Sequence, residues 1–319
     1  MKLTVVRQQA RDLLRAKHLA DSTEKAYLGW IERYAAWLKS YPDQGGPASV
    51  EAFLTHLAVA EHVSASTQNQ ARSALLFLYR DVLRQDPGAI HAVRAKRGVR
   101  VPIALTHAEA LRLINALRGD YQLLAQLMYG SGLRVMEALR LRVKDVNFAR
   151  LQITVRDGKG DKDRFTILSP SLVEPLRAKL AERRALHRRD LAAGLGEAYL
   201  PDALARRYPN APREFSWQFI FASPRLTTDP RDGKPRRHHI LPTNVQRQIK
   251  RAAHTLGLDK RAPIGPHTLR HSFATRLVEK KAPIHEVKEL MGHASIETTM
   301  IYLRAAEHSG HTVVSPLDT

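Results

Sequence analysis

Apolar residues along the first 86 positions recur every three or four places, which predicts a bundle of about four short helices. The pattern is clearest in three segments, 22–41, 48–62 and 66–83. Their apolar stripes are Tyr27, Ile31, Tyr34 and Leu38, then Val50, Phe53, Leu54 and Leu57, then Ala71, Leu75, Leu78 and Leu83. The stretch 42–47, PDQGGP, predicts a loop between the first two segments.

A second helical part begins at Thr106, where the sequence THAE forms a capping box with Glu109. Helices follow to about residue 143, and the pattern then changes to strict alternation over 151–169. This alternation around a glycine-rich centre predicts a β-hairpin, after which helices resume from Ser171 to about Ala306. The chain is therefore predicted to be mainly α-helical with one small β element.

One predicted helix carries an unusual cluster of cationic and imidazole side chains. Its sequence, GPHTLRHSFATRL over 265–277, places Pro266 at the first helical position. Leu269, Phe273 and Leu277 share an apolar face, and a different face carries His267, Arg270, His271 and Ala274. Because a helix N-terminus already favours negative charge, this face predicts an anion-binding site.

The length of 319 residues and the composition together favour two domains. We predict a helical domain over 1–93, a basic linker over 94–105 and a second domain over 106–319, which ends in a polar tail, 307–319. An inserted helical segment is expected over about 184–223. Lys96 and Arg97 in the linker are candidate phosphate contacts, and a solvated linker without a DNA contact is the alternative.

The charge of the chain changes this picture by pointing to a polyanionic partner. Lys and Arg number 51 against 31 Asp and Glu, a formal net charge of +20. A basic surface that only contacts solvent is the alternative. The absence of cysteine excludes disulfides and thiolate chemistry. There is no long apolar run at the start or elsewhere, so we expect an intracellular protein without signal peptide or membrane span.

Three further stretches carry candidate chemistry. Arg134 follows a Gly-Ser-Gly turn, Lys159 lies at the predicted hairpin tip with Lys162 as competitor, and LMGHASIETTMIYLR supplies His293 and Tyr302. Neither a dinucleotide-binding glycine motif nor a phosphate-binding P-loop is present around these residues. The residues with candidate chemistry are, in chain order, Arg134, Lys159, His267, Arg270, His293 and Tyr302.

These six residues in this order, with HTLRHSFAT and LMGH intact, resemble the tyrosine recombinase (phage integrase) family. The resemblance is strong from Gly130 to Tyr302 and weak in the first domain. It implies a two-domain, C-shaped DNA clamp made of a helical, SAM-like core-binding domain and a catalytic domain. No cofactor and no metal are implied.

The resemblance also implies a role for each residue. Tyr302 attacks a DNA phosphodiester to give a 3′-phosphotyrosine and a free 5′-hydroxyl, and Lys159 is the general acid. Two arginines, Arg134 and Arg270, and the imidazole of His293 stabilise the charge of the reacting phosphate. His267 adds a donor and is the candidate base for the tyrosine. Glu137 is expected to orient the site rather than react.

Each residue taken alone has a structural interpretation. Tyr302 resembles any core aromatic, and His293 any hydrogen-bonding histidine. Arg134 could form an ordinary ion pair with Glu137. His267 and His271 have the spacing of a zinc pair, but an HExxH motif and cysteine ligands are missing.

The region from 198 to 223, the segment 228–252 and the terminal SPLD resemble the integron integrase subfamily. This resemblance implies recombination of folded single-stranded attC hairpins with double-stranded attI or with attC. The implied DNA contacts are Trp217, Arg236, Arg237, His238 and His239. Aromatic and imidazole rings suit stacking on unpaired bases. An insertion-core role for Trp217 and a solvated loop for the histidines are the alternatives.

The resemblance further implies a homotetramer on two DNA sites, with the tail after Tyr302 docked on a neighbouring protomer, in the bacterial cytoplasm at the nucleoid. Two rival functions stay open on the sequence. One is an Xer- or phage-like recombinase that acts on duplex DNA only. The other is a non-catalytic DNA-binding protein, which the charge and the helices alone would explain.

Overall fold

The chain divides into two compact units, Met1–Arg100 and Val101–Thr319. In the computed structural model the described residues are 3–17, 19–41, 48–86, 103–156, 163–200, 202–229 and 232–307. Both units are mainly helical and the second also holds two small antiparallel sheets, which confirms the predicted fold class. None of the described helices is long and apolar enough to cross a membrane.

The secondary structure follows the predicted order. The helices of the first unit are α1 (Leu3–Ala16), α2 (Asp21–Ser40), α3 (Ala48–Val59) and α4 (Ala65–Phe77). The helices of the second unit are α5 (His107–Asn115), α6 (Gly119–Ser131), α7 (Val135–Leu139), α8 (Val173–Ala192), α9 (Asp202–Arg207), α10 (Pro242–Thr255), α11 (Pro266–Glu279), α12 (Ile284–Met291) and α13 (Glu297–Glu307). The strands are β1 (Val146–Asn147), β2 (Gln152–Val155), β3 (Arg164–Ile167), β4 (Thr227–Thr228) and β5 (Pro235–Arg236).

The core of the first unit is built from the three predicted stripes. Ile31, Phe53 and Leu75 are almost completely buried, and their stripe neighbours are buried or packed against them. The hydroxyl of Tyr34 lies 2.8 Å from that of Tyr79, so the polar group that this ring carries into the core is satisfied. Helical periodicity alone therefore located this core correctly.

The core of the second unit surrounds α6 and α11, which pack against each other. The predicted capping box is present, since the Glu109 backbone N–H donates to the Thr106 hydroxyl and the Glu109 carboxylate accepts from the Thr106 N–H. The predicted hairpin is confirmed as strands β2 and β3, whose register pairs Val155 with Arg164. Strand β1 adds a third, very short antiparallel member that sequence alternation had not indicated.

The predicted insertion is less helical than expected. Its predicted start near residue 184 lies inside α8, which continues without a break to Ala192. The following residues are mostly irregular, with the six-residue helix α9 and short 3₁₀ turns, one of which is Phe215–Trp217. Proline and glycine at 194, 196, 201, 209 and 212 interrupt regular backbone hydrogen bonding, which explains the lower helix content.

Buried polar contacts attach this segment to the core, together with the fully buried side chains of Ile220 and Phe221. Arg183 is 3 % exposed and donates to the backbone carbonyl of Phe219 and to the side-chain oxygen of Gln218. The Gln218 amide in turn donates to the carbonyls of Gly196 and Pro212. Because these two side chains bind each other and the backbone carbonyls of Phe219, Gly196 and Pro212, they help to fix the shape of the segment.

We expect Arg183→Ala to destabilise the second unit by about 3 kcal/mol, because buried hydrogen bonds of a charged group are lost and Gln218 is left unsatisfied. The measurement is equilibrium urea unfolding combined with hydrogen exchange of residues 195–223. The adjacent Arg184 is exposed and only covers the ring of Phe215, so Arg184→Ala is the matched control, with an expected loss of about 0.5–1 kcal/mol. Equal losses in the two variants would contradict the assigned role of Arg183.

Candidate active site

The site begins at the turn between α6 and α7, which presents Arg134. Helix α6 ends at Ser131 and is capped by Gly132, whose φ of 65° lies in the left-handed region that favours glycine. A Cβ at this position would lie 2.5 Å from the ring of Phe273, so a larger residue does not fit here. The turn therefore brings the backbone of α6 against α11 and places Arg134 directly before α7.

Three guanidinium groups surround the carboxylate of Glu137. Arg134 donates to it from its backbone N–H and its side chain, both at 2.7 Å. Arg164 from β3 donates to both carboxylate oxygens, at 2.9 and 2.8 Å, and Arg270 lies 3.5 Å away. Burial raises the pKa of Glu137, but the hydrogen bonds and charge of Arg164 and then Arg134 outweigh it and lower this pKa to about 2.

Helix α11 brings Arg270, His267 and His271 to the same site, as its cationic face predicted. Arg270 is 3 % exposed, and its guanidinium donates to the backbone carbonyls of Gly132 and Met291. Burial and the charge of Arg134 lower the pKa of Arg270 to about 10, which still leaves it protonated at neutral pH. The prediction that α11 begins at Pro266 is confirmed.

Tyr302 lies at the centre of these side chains and is only 3 % exposed. Its hydroxyl is 2.8 Å from Nδ1 of His271. The ring of His293 stacks on the Tyr302 ring with centroids 6.0 Å apart and planes inclined by 15°. Nδ1 of His293 is 2.9 Å from the Thr299 hydroxyl, which fixes the imidazole in this orientation.

The electrostatics of the site keep its imidazoles neutral. Burial, then the charges of neighbouring groups, lower the pKa of both His271 and His293 to about 4. Partial burial and the charges of Arg270 and Arg134 also lower the pKa of His267. Burial raises the pKa of Tyr302, although Arg270 and Arg134 oppose this shift. Without DNA, the site therefore combines fixed guanidinium charges with neutral proton acceptors and a protonated phenol.

Five of the six predicted catalytic residues thus meet at one place: Arg134, His267, Arg270, His293 and Tyr302. Lys159 and its competitor Lys162 lie outside the described residues, between strands β2 and β3. His271 is a residue whose contact with Tyr302 sequence reasoning missed, since His267 was the expected partner. The spacing of His267 and His271 by four on one helix was the available signal, and their rings lie 6.0 Å apart.

The predicted DNA contacts divide into exposed and buried groups. Trp217 is half-buried, with the Lys144 ammonium over its ring and the Arg142 guanidinium 5.8 Å from its centroid. His238 is exposed, and its ring lies 5.4 Å from that of Phe219. Burial and the charge of Arg156 lower the pKa of Lys144 to about 8. The ring of Trp217 therefore lies beside cationic side chains, and the ring of His238 is exposed to solvent.

The remaining predicted DNA contacts are held within the chain. Arg236 is 8 % exposed and forms two hydrogen bonds of 2.6 Å with Asp232. Arg237 binds Asp190 on α8 at 2.6 and 2.9 Å. His239 is 5 % exposed and lies against the carbonyl of the next residue. The contacts of Arg236 and Arg237 brace the loop that presents His238, and any DNA contact of their own stays a prediction.

The linker residues Lys96 and Arg97 lie in the segment 87–102, and most of the predicted tail in 308–319, which are both outside the described residues. Their predicted roles, like the proposed division of the chain at 94–105, stay predictions.

Comparison with known proteins agrees with this geometry. Residues 104–309 match the phage integrase family, and residues 6–88 match the family's N-terminal SAM-like domain. The chain is 43 % identical over 315 residues to an integrase/recombinase of Escherichia coli, covering 98 % of this chain and 93 % of that one. It is 32 % identical over 277 residues to the tyrosine recombinase XerD of Agrobacterium fabrum, covering 81 % and 76 %.

Solved structures share the fold. XerH recombinase bound to its palindromic difH substrate is 21 % identical, with a TM-score of 0.61, and the match covers 92 % of this chain and 79 % of XerH. The Tn1549 transposon integrase in complex with transposon right end DNA is 17 % identical, with a TM-score of 0.58, covering 95 % and 98 %. From the family match and the convergence of its side chains, the chain belongs to the phage integrase family and is a site-specific tyrosine recombinase, an enzyme that cleaves and rejoins DNA.

Proposed function

We propose that this recombinase is of the integron type and that it recombines folded single-stranded attC hairpins with attI or attC sites, as a homotetramer on two sites. The observation that carries the proposal is the pair of accessible rings of Trp217 and His238, hereafter the ring surface, which are connected through Arg142 and Phe219. It lies on the segment whose sequence resembles integron integrases, and it presents flat rings next to cationic groups.

A folded hairpin of variable sequence has to be recognised by its shape, and its unpaired bases are the part of that shape that a flat ring can contact. Stacking of an unpaired base on an aromatic ring contributes about 1–3 kcal/mol and tolerates any base. Lys144 and Arg142, which lie at the Trp217 ring, add positive charge for the adjoining phosphate. The rigid attachment through Arg183 and Gln218 supports the ring surface in one position.

The proposed reaction follows from the side chains around Tyr302. Its hydroxyl oxygen attacks the phosphorus, the bond from phosphorus to the 5′-oxygen breaks, and a 3′-phosphotyrosine and a 5′-hydroxyl result. The guanidinium groups of Arg134 and Arg270 stabilise the negative charge of the phosphate oxygens in the transition state. Lys159 is the proposed donor of the proton that the 5′-oxygen takes up. Rejoining is the same reaction in reverse.

The phenol proton needs an acceptor, and His271 is the better placed of the two candidates. Its Nδ1 lies 2.8 Å from the Tyr302 hydroxyl, within hydrogen-bonding distance. The low pKa of His271 keeps its ring neutral, so that Nδ1 can accept the proton when the new bond to phosphorus forms. His267 lies beyond His271, with its ring 6.0 Å from that of His271, and we assign it to the phosphate instead.

The alternative is a recombinase of the Xer kind that acts on duplex DNA only, for which the 32 % identity to XerD provides the support. The two proposals share the same chemistry at Tyr302 and differ in the role of the ring surface. They therefore predict different results when hairpin and duplex substrates are compared.

Tyr302→Phe should abolish covalent DNA adducts and leave DNA affinity unchanged, because only the attacking oxygen is lost. Nicked substrates, from which the cleaved fragment is released, trap the covalent adduct, which denaturing electrophoresis then detects. A separate gel-shift titration measures the DNA affinity. Tyr129→Phe is the matched control, since Tyr129 also pairs its hydroxyl with a histidine, His107, at 2.8 Å. An adduct that persists in Tyr302→Phe would show that another residue is the nucleophile.

His271→Ala should lower the single-turnover cleavage rate by about 10²- to 10⁴-fold, the usual contribution of a proton acceptor. His271→Asn should lose less, because an amide oxygen can still accept the hydrogen bond and orient the phenol. DNA affinity should stay the same in both variants. His107→Ala is the control for loss of a histidine that contacts a tyrosine elsewhere. Wild-type rates in His271→Ala would return the assignment to His267.

Trp217→Ala should weaken binding of the attC hairpin by about 5- to 100-fold, equivalent to one lost stacking contact, and leave duplex attI binding unchanged. Trp217→Phe is the matched variant that keeps a ring and should retain most of the affinity. Gel-shift titrations at one fixed salt concentration measure both substrates. Tighter binding of duplex attC than of the folded strand by the wild-type chain would favour the Xer-like alternative.

A further inference from the structure

The reaction described above uses Arg134 and Arg270 but leaves the third guanidinium of the cluster, Arg164, without a role. Arg164 is the first residue of β3 and its side chain is 11 % exposed. Its guanidinium holds both oxygens of Glu137 at 2.9 and 2.8 Å, and its Nε donates to the carbonyl of Leu290 at 3.1 Å. No sequence motif had pointed to this residue.

These hydrogen bonds connect three elements that each supply part of the site. Strand β3 follows the segment that contains Lys159, which is outside the described residues. Glu137 lies on α7 behind Arg134, and Leu290 lies in the last turn of α12, three residues before His293. Arg164 therefore binds the elements that present Arg134 and His293 to the site.

The turn after α12 is shaped around the same side chain. Gly292 has a φ of 59°, and a Cβ at this position would lie 2.7 Å from Cδ of Arg164 and 2.9 Å from its Nε. The backbone thus closes over the stem of Arg164, and the guanidinium is held in one orientation.

The charges explain why a third arginine is useful. Glu137 is an ionised carboxylate that competes with the DNA phosphate for Arg134 and Arg270. By occupying both carboxylate oxygens in a paired arrangement, Arg164 satisfies Glu137 and leaves Arg270 at the longer distance of 3.5 Å. Without Arg164, Oε2 of Glu137 would lose one donor and would draw Arg270 toward itself and away from the phosphate.

We propose that Arg164 is a positioning residue, which holds Glu137 so that Arg134 and Arg270 stay aligned on the scissile phosphate. The proposal rests on the phosphate-binding roles proposed above for Arg134 and Arg270, and not on the integron type of the substrate.

The test compares Arg164→Lys with wild type in single-turnover cleavage of two half-site duplexes. One carries the natural phosphodiester and the other a methylphosphonate at the cleaved position, which lacks the negative charge that the arginines bind. Lysine keeps the charge of Arg164 but cannot hold two carboxylate oxygens as a planar fork. We expect a loss of about 10²-fold on the phosphodiester, typical of a misplaced catalytic group, with unchanged DNA affinity.

On the methylphosphonate the loss of cleavage rate should be smaller by at least about tenfold. The alignment of the two arginines matters little when the phosphate lacks the negative charge that they bind. A general structural defect would slow both substrates equally, so losses that agree within about tenfold would overturn the proposal. Arg156→Lys is the matched control on the other side of the hairpin, where Arg156 follows strand β2 and binds Asp145 at 2.7 Å, and should show no dependence on substrate charge.

If Arg164→Lys does not fold, Gly292→Ala displaces the same guanidinium from the other side and should show the same dependence on substrate charge. Failure of the integron proposal is seen separately, as wild-type protein that cleaves duplex half-sites but does not recombine folded attC.

Discussion

The site depends on one buried carboxylate that holds three guanidinium groups together. Glu137 places a negative charge among Arg134, Arg164 and Arg270, which would otherwise repel one another in an environment of low polarity. Three positive charges on one negative charge leave the cluster cationic, so that it attracts a phosphate diester. The single negative charge of Glu137 thus neutralises only part of the surrounding positive charge, and the remainder is available to bind the substrate.

That excess charge also acts on the neighbouring groups. Burial, assisted by the positive charge, lowers the pKa of His271 and His293 and keeps them neutral in the free chain, and the same charge opposes the rise in the pKa of Tyr302 that burial causes. A bound phosphate offsets part of the positive charge, so the imidazoles gain basicity when DNA is present. The same cluster therefore binds the substrate and links its arrival to the proton transfer that the phenol requires.

Sequence reasoning located the core and most of the site because both leave local signals. The stripes of Ile31, Phe53 and Leu75 follow the helical period, and the cationic face of α11 is visible from residue spacing. Arg164 left no signal, since its partner Glu137 lies 27 positions away and only strand pairing brings them together. For His271 the spacing showed the helix face but not which ring Tyr302 approaches, because this depends on how α13 packs against α11.

The loop after the insertion shows a different limit of sequence reasoning, because the sequence gives the type of each residue but not its partner within the chain. Arginines in a basic loop suggest phosphate contacts, yet Arg236 and Arg237 are paired with Asp232 and Asp190. A phosphate contact by either arginine would have to compete with a carboxylate that already binds its guanidinium. Stacking of a base on the exposed ring of His238 involves no such competition, whereas at Trp217 a base meets the Lys144 ammonium that lies over the ring. Under the proposed function, the rings and these arginines therefore have separate tasks: the rings contact bases, and the arginines hold the loop in shape.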